Sequence, residues 1–280
     1  MVTTSRRIGP PRESFSEQAT STDTSQKSAP TQKRTTRPFL AGKFRLRPDE
    51  RWAIIGKSGS GKSVFARWIA YQYYRAHWPV VIVDPKKRYV DAAQGDDYAT
   101  SPADSTIARP WKIADGLFNP DAKVQIYLPT FPALKDPVLD RLFFTLLDRG
   151  GLVLHIEDMT QVANENSTPT GLAALMTDGR TAEVPLLLLA QRPVGIPRNM
   201  IDQAENFAIF RLPDIDDRTR ASKILGDKRV ERIILPRRYF WYLHEGDDFP
   251  TKYSPLPLSE VKKLGGIKKE DQHESTRAAS

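Results

Sequence analysis

Short apolar runs alternate with amphipathic stretches along most of this 280-residue chain, between two polar ends. Trp52 to Ile55, Pro79 to Val83, Val124 to Leu128, Leu152 to Ile156, Leu186 to Ala190, Phe207 to Leu212 and Tyr239 to Leu243 read as buried strands, rich in aliphatic and β-branched side chains. Helical spacing follows the first run at Val64, Phe65, Trp68, Ile69 and Tyr71, and recurs at Val138, Leu139, Leu142, Phe143, Leu146 and Leu147. A further helix is expected through Leu172 and Leu175 towards Gly179-Arg180, and another over 215–225. Asp136-Pro137 and Thr168-Pro169 each supply an N-cap with a first-turn proline. Residues 91–121 lack periodicity and contain Gly, Asp, Pro and Ser, so an irregular excursion is expected there. Alternating strands and helices predict an α/β fold, a mainly parallel central sheet flanked by helices.

The ends behave differently. Residues 1–37 are rich in Ser, Thr, Gln, Arg and Pro, cannot bury enough apolar surface to offset ordering, and are expected to form a disordered basic arm. Residues 258–280 are expected to be a polar tail, leaving a single globular domain over 38–257. The net charge of +8 points towards nucleic acid until it is located. Seven basic and three acidic residues lie in 1–37, and five and four in 258–280, so the remainder carries only +3. The chain has no cysteine, which excludes disulfide scaffolds and thiolate metal sites. No apolar run approaches the roughly 20 residues that span a bilayer, so the expected location is cytoplasmic.

The chemistry starts at residues 56–63. Gly56-Lys57-Ser58-Gly59-Ser60-Gly61-Lys62-Ser63 is a complete G-x-x-x-x-G-K-[ST] phosphate loop, placed between a strand pattern and a helix pattern as that motif requires. Glycines allow the backbone to turn tightly and point N–H groups at phosphates, Lys62 reaches the β and γ phosphates, and Ser63 offers its hydroxyl to Mg²⁺. The expected ligands are therefore ATP and Mg²⁺. In parallel sheets ligands sit at the carboxyl ends of strands. Glu157-Asp158 follows one apolar run and suits a Walker B pair, with Glu157 assigned to the metal and Asp158 to the attacking water. His155 within that run reads as a packed core histidine. Gln191, at the tip of the leucine-rich run, can hold a water in line with the γ-phosphate or close the strand as a simple polar residue. Asp84 and Lys86 read equally as exposed turn charges or ligand contacts. Arg180, Arg192, Arg211 and Arg218 are candidates for the extra cation that phosphoryl transfer requires.

Taken in order, the phosphate loop, Val83-Asp84-Pro85-Lys86, the strand ending Glu157-Asp158, Gly179-Arg180 before Leu186 to Pro193, and Phe207 to Thr219 resemble the HerA/FtsK superfamily of DNA-pumping ATPases over roughly residues 50–245. The resemblance implies a RecA-like fold of the additional-strand catalytic-glutamate type. It also implies a homo-oligomeric, usually hexameric ring that moves double-stranded DNA at the expense of ATP. Within it Gln191 matches the glutamine near the γ-phosphate, and Arg180 matches an arginine that acts across subunits. The Glu-Asp order of 157–158 reverses the usual Walker B order. With neither a transmembrane region nor a winged-helix DNA reader recognisable, the chain looks most like a viral genome-packaging ATPase, whose partners would include a capsid or membrane-vertex protein.

A second reading is a P-loop kinase or nucleotide-dependent switch acting on a small molecule or protein, with 91–121 as its lid. The aromatic clusters Tyr71 to Trp78 and Tyr239 to Tyr242 are better explained as core and sheet surface than as base-stacking platforms. Basic residues at 85–90 or 160–170 are expected to face the DNA.

Overall fold

The computed structural model describes residues 44, 46–85, 105–107, 123–127, 129, 137–262 and 264, which belong to one compact unit within Thr35–Ser280. The expected arm at 1–37 lies outside the described residues. The strands are β1 (Arg51–Ile55), β2 (Val80–Val83), β3 (Ser105–Ile107), β4 (Val124–Tyr127), β5 (Val153–Ile156), β6 (Leu186–Ala190), β7 (Asn206–Phe210), β8 (Phe240–His244) and β9 (Thr251–Tyr253). Among the described residues they form one sheet in the order β3-β4-β2-β5-β6-β1-β7-β8-β9. Pairing is parallel from β3 to β7 and antiparallel at β8 and β9. The expected mainly parallel α/β architecture is found, with β6 inserted between β1 and β5 as the additional strand.

The helices are α1 (Lys62–Arg75), α2 (Pro137–Arg149), α3 (Met159–Val162), α4 (Thr170–Asp178), α5 (Arg198–Asp202), α6 (Ile215–Leu225), α7 (Lys228–Arg232) and α8 (Leu258–Lys262). Successive strand residues face opposite sides, so both faces of the sheet must be covered. Ala53, Ile55, Val81, Leu154 and Leu188 join Leu142 and Phe143 of α2 and Leu172 and Leu175 of α4 in one core. Trp52, Ile54, Ile82, Leu187 and Leu189 join Phe65, Trp68 and Ile69 of α1 in the other. Aromatic rings dominate this second core: Phe65 and Phe240 have centroids 4.8 Å apart and Phe44 and Tyr242 5.0 Å. Tyr73, Phe240, Trp241 and Tyr242 are buried, so these rings are committed to packing rather than base stacking.

The structure departs from the sequence expectations where elements are short. β3 lies inside the stretch expected to be irregular, because three residues paired to β4 show no periodicity of their own. β9 and the short helices α3, α5, α7 and α8 were likewise not expected. α4 is preceded by Pro169 in the N-cap position with no side-chain cap, so Thr168 does not cap it. Trp68 Nε1 donates to Glu260 Oε2 at 3.0 Å and Leu264 is buried in the second core, so packing continues past the domain boundary expected at 257.

Candidate nucleotide site

β1 ends at Ile55 and α1 begins at Lys62, leaving 56–61 to turn at the carboxyl edge of the sheet. The turn is pinned to both neighbouring strands. Gly56 N–H donates to the Ala190 carbonyl at 3.1 Å, at the end of β6, and Lys57 N–H to the Arg211 carbonyl at 3.2 Å, just beyond β7. Gly56 is required by close approach: a Cβ there would lie 2.5 Å from Phe210 Cβ. Gly61 is required by conformation, with φ 103° as the N-cap of α1. That N-cap makes no side-chain hydrogen bond and the first turn holds no acid. The N–H groups and positive end of α1 are therefore directed at the loop, an arrangement suited to phosphate. Lys62 is buried, which is unusual for lysine.

Glu157 and Asp158 follow β5, two strands from β1, and both are buried. Ser63 Oγ donates to Glu157 Oε2 at 3.0 Å, and His155 Nε2 lies 3.5 Å from Glu157 Oε1 inside the core. Gln191 Nε2 donates to Asp158 Oδ2 at 3.1 Å, and Thr160 Oγ1 donates to Asp158 Oδ1 at 2.8 Å. The structure thus brings Lys62, Ser63, Glu157, Asp158 and Gln191 to one edge and pairs them as two sets, hydroxyl with Glu157 and amide with Asp158. Thr160 was missed from sequence; its only signal is a hydroxyl two residues after an acid. Ser63 and Glu157 present hard oxygen donors, the kind Mg²⁺ prefers, and Mg²⁺ commonly takes one or two carboxylates with phosphate and water completing its shell. In keeping with that, no group of three or more His, Cys, Asp or Glu side chains among the described residues could hold a metal by itself.

Asp84 at the end of β2 is fully buried, with its N–H bonded to the Tyr127 carbonyl at 2.8 Å, which excludes the exposed-turn alternative of its two readings. Lys86 and the remainder of 86–90 lie outside the described residues. Residues 160–170 contain no lysine or arginine, so a basic DNA-facing loop there is also corrected.

The arginines separate. Arg180 is not brought to the loop of its own chain. It precedes β6, at the amino edge, with the length of β6, about 17 Å, between that edge and Gln191. There it forms an ion pair with Glu205, which also accepts the Arg51 N–H at 2.7 Å and lies 3.6 Å from Arg51 Nη1. Burial holds the Arg51 guanidinium below its ordinary pKa, and burial pushes the nearby Glu50 carboxyl up to about 7. Arg192 bonds Asp217 through Nε at 3.0 and 3.1 Å, which raises its pKa and ties the end of β6 to α6. Arg218 Nε donates to the Glu231 carbonyl at 2.8 Å, linking α6 to α7. Arg211 contributes its carbonyl to the loop, as above. Two arginines absent from the sequence candidates do reach the loop: Arg237 Nε donates to the Gly59 carbonyl at 3.2 Å, and Arg238 packs on Gly61. Their position depends on antiparallel pairing of β8, which no local motif announces.

Residues 49–129 match the family model described as Helicase HerA, central domain. The DNA packaging ATPase P9 of Enterobacteria phage PRD1 is 28% identical over 171 residues, covering 60% of this chain and 67% of that protein. Among solved structures, the genome packaging NTPase B204 of Sulfolobus turreted icosahedral virus 2 superimposes with a TM-score of 0.59 at 14% identity, covering 76% of this chain and 100% of B204. The bacterial conjugative coupling protein TrwB superimposes with a TM-score of 0.53 at 11% identity, covering 75% of this chain and 85% of that one. The chain is thus similar in sequence over residues 49–129 to the HerA central domain, and in fold over about three quarters of its length to a viral genome packaging NTPase.

Proposed function

We propose that this chain is a Mg²⁺- and ATP-dependent motor that translocates or packages double-stranded DNA, and that its setting is viral genome packaging. The observation that carries the reading is the meeting of Ser63 with Glu157 and of Gln191 with Asp158 at the mouth of a complete phosphate loop. The relatives support it: a phage DNA packaging ATPase in sequence, and a viral genome packaging NTPase in fold. The loop N–H groups and Lys62 bind and orient the β and γ phosphates, while Ser63 and Glu157 would hold Mg²⁺, which would supply neutralisation of phosphate charge. Asp158 accepts a proton from water as the water oxygen bonds to the γ-phosphorus. The bridging bond to the β-phosphate breaks, releasing ADP and inorganic phosphate. Gln191 donates to Asp158 and is placed to hold that water, so Asp158 and Gln191 act as one unit.

Arg180 enters this scheme from a neighbouring subunit. Its side chain is 48% exposed and lies far from its own loop, which suits a residue that completes a second copy's site. The proposed assembly is a homo-oligomeric ring, hexameric as in the family, with duplex DNA as substrate and a capsid or membrane-vertex protein as partner. No described helix is long and apolar enough to cross a membrane, so attachment to a membrane vertex would run through that partner. The kinase reading needs a lid at 91–121, where β3 is the described part, and draws no support from the relatives.

The test is phosphate release from ATP with and without duplex DNA at low salt, with oligomeric state measured on the same sample. DNA-stimulated hydrolysis by an oligomer is expected. A DNA-indifferent monomer would defeat the motor reading, and transfer of the γ-phosphate to an acceptor other than water would favour the kinase.

A further inference from the structure

We propose that Arg237 and Arg238 form a clamp, within the same chain, on the nucleoside end of the bound nucleotide. The inference rests on the nucleotide site proposed above and adds to it the residues that recognise ribose and base.

The argument starts from topology. β8 runs antiparallel to β7, with Phe240 opposite Phe210, so the residues just before β8 arrive at the carboxyl edge where the phosphate loop lies. Pro236 to Tyr239 close a turn there, with Tyr239 N–H bonded to the Pro236 carbonyl at 3.3 Å. Arg238 occupies the third position of that turn at φ 69°, a left-handed conformation that glycine or asparagine adopts readily and arginine does at a cost. The turn that results is seated on the loop. A Cβ built on Gly61 would lie 3.4 Å from Arg238 Cγ and 3.5 Å from Arg238 Cα, while Arg237 Nε bonds the Gly59 carbonyl.

Direction along the sheet then says which end of the nucleotide these arginines meet. In the order β5-β6-β1-β7-β8, the groups that handle the γ-phosphate and Mg²⁺, Glu157, Asp158 and Gln191, lie on the β5 and β6 side of the loop. A triphosphate lying along the loop with its γ end towards those acids extends its ribose and base the other way, towards β7 and β8. Arg237, which is exposed, and Arg238, half-buried, stand on that side. A planar guanidinium is suited to the task, since it hydrogen-bonds ribose oxygens and stacks on a purine face.

The test compares a nucleotide with its phosphate chain alone. Binding of ADP and ATP, and separately of inorganic tripolyphosphate, is measured by calorimetry on the full chain with Mg²⁺, for wild type, R237A, R237K and R238G. The expected result is a loss of about tenfold or more in ADP and ATP affinity for R237A, with tripolyphosphate affinity within about twofold of wild type. R237K, which keeps charge but not the planar fork, should recover only part of that loss. R238G suits the left-handed backbone and keeps the fold, so it separates side-chain recognition from the turn itself; it should weaken ADP and spare tripolyphosphate. Equal losses for nucleotide and tripolyphosphate, or no loss for either, would overturn the inference. A wild-type protein that binds neither nucleotide would instead overturn the nucleotide site on which the inference rests.

Discussion

Both edges of the central sheet bury charged side chains, and they neutralise them in different ways. At the amino edge, Arg51 and Glu205 pair with each other, Arg180 closes over Glu205 from the surface, and Glu50 lies alongside. At the carboxyl edge, the acids Glu157 and Asp158 meet neutral donors, Ser63, Thr160 and Gln191, beside a buried lysine and an uncapped helix. The buried pairing of Arg51 with Glu205 is a structural solution, costly to disrupt and closed to ligands, whereas Arg180 on its outer side stays half exposed. Acids that meet hydroxyl and amide donors can exchange those partners for metal, water and phosphate without leaving a charge stranded. Buried charge is thus present at both edges, and the carboxyl edge alone sets it beside the phosphate-loop motif.

Four substitutions break or sharpen that contrast, in order of expected effect. Lys62→Ala should lower ATP turnover by at least about 10³-fold, read as phosphate release per folded molecule. Arg180→Ala should lower hydrolysis by the assembled protein by about 10³-fold while nucleotide affinity stays near wild type. Its effect on stability should stay under about 1 kcal/mol, because its guanidinium is half exposed and Glu205 keeps Arg51 as a partner. A wild-type rate would remove Arg180 from any site. Glu205→Ala should cost about 3 kcal/mol in denaturant unfolding by stranding the buried Arg51, while the folded fraction retains nucleotide affinity. Loss of nucleotide binding by that folded fraction would mean the two edges are not independent.

The smallest effect is expected at Glu50. Its carboxyl is raised from 4.5 to about 7 by burial, so the folded state holds its proton more tightly than the unfolded state does. The stability associated with the protonated form is fully present below pH 4.5 and is lost as pH rises to about 7. Glu50→Gln should then raise the melting temperature at pH 8 and leave it unchanged near pH 4, provided the unfolded pKa is ordinary. An equal shift at both pH values would show that packing, not ionisation, governs this position.

Much of this was legible in the chain because local patterns sufficed. Leu186 to Ala190 reads as a strand since four leucines and an alanine in succession suit a strand buried on both faces, and residues 215–225, expected to be helical, form α6. The phosphate loop needs only eight contiguous residues, and Glu157, Asp158 and Gln191 stand out as polar groups ending apolar runs. Elements such as β3 and α8 were illegible for the opposite reason: they are too short for periodicity and are held by neighbours distant in sequence. At Asp84 an exposed turn charge and a ligand contact are equally open in the sequence, because Pro85 and Lys86 follow it, and its position at the end of β2 buries it.

By itself, then, the sequence determined the parallel α/β alternation, the phosphate loop and the identities of the groups at its strand ends, since each is encoded within a few neighbouring residues. Only the tertiary structure decided the sheet order, which acid meets Ser63 and which meets Gln191, that Arg180 faces away from its own loop, and that Arg237 and Arg238 lie against it. Those facts depend on strand pairing between segments as far apart as Arg51 and Leu186, where burial of apolar faces and backbone hydrogen bonding set the register and no local pattern records the outcome.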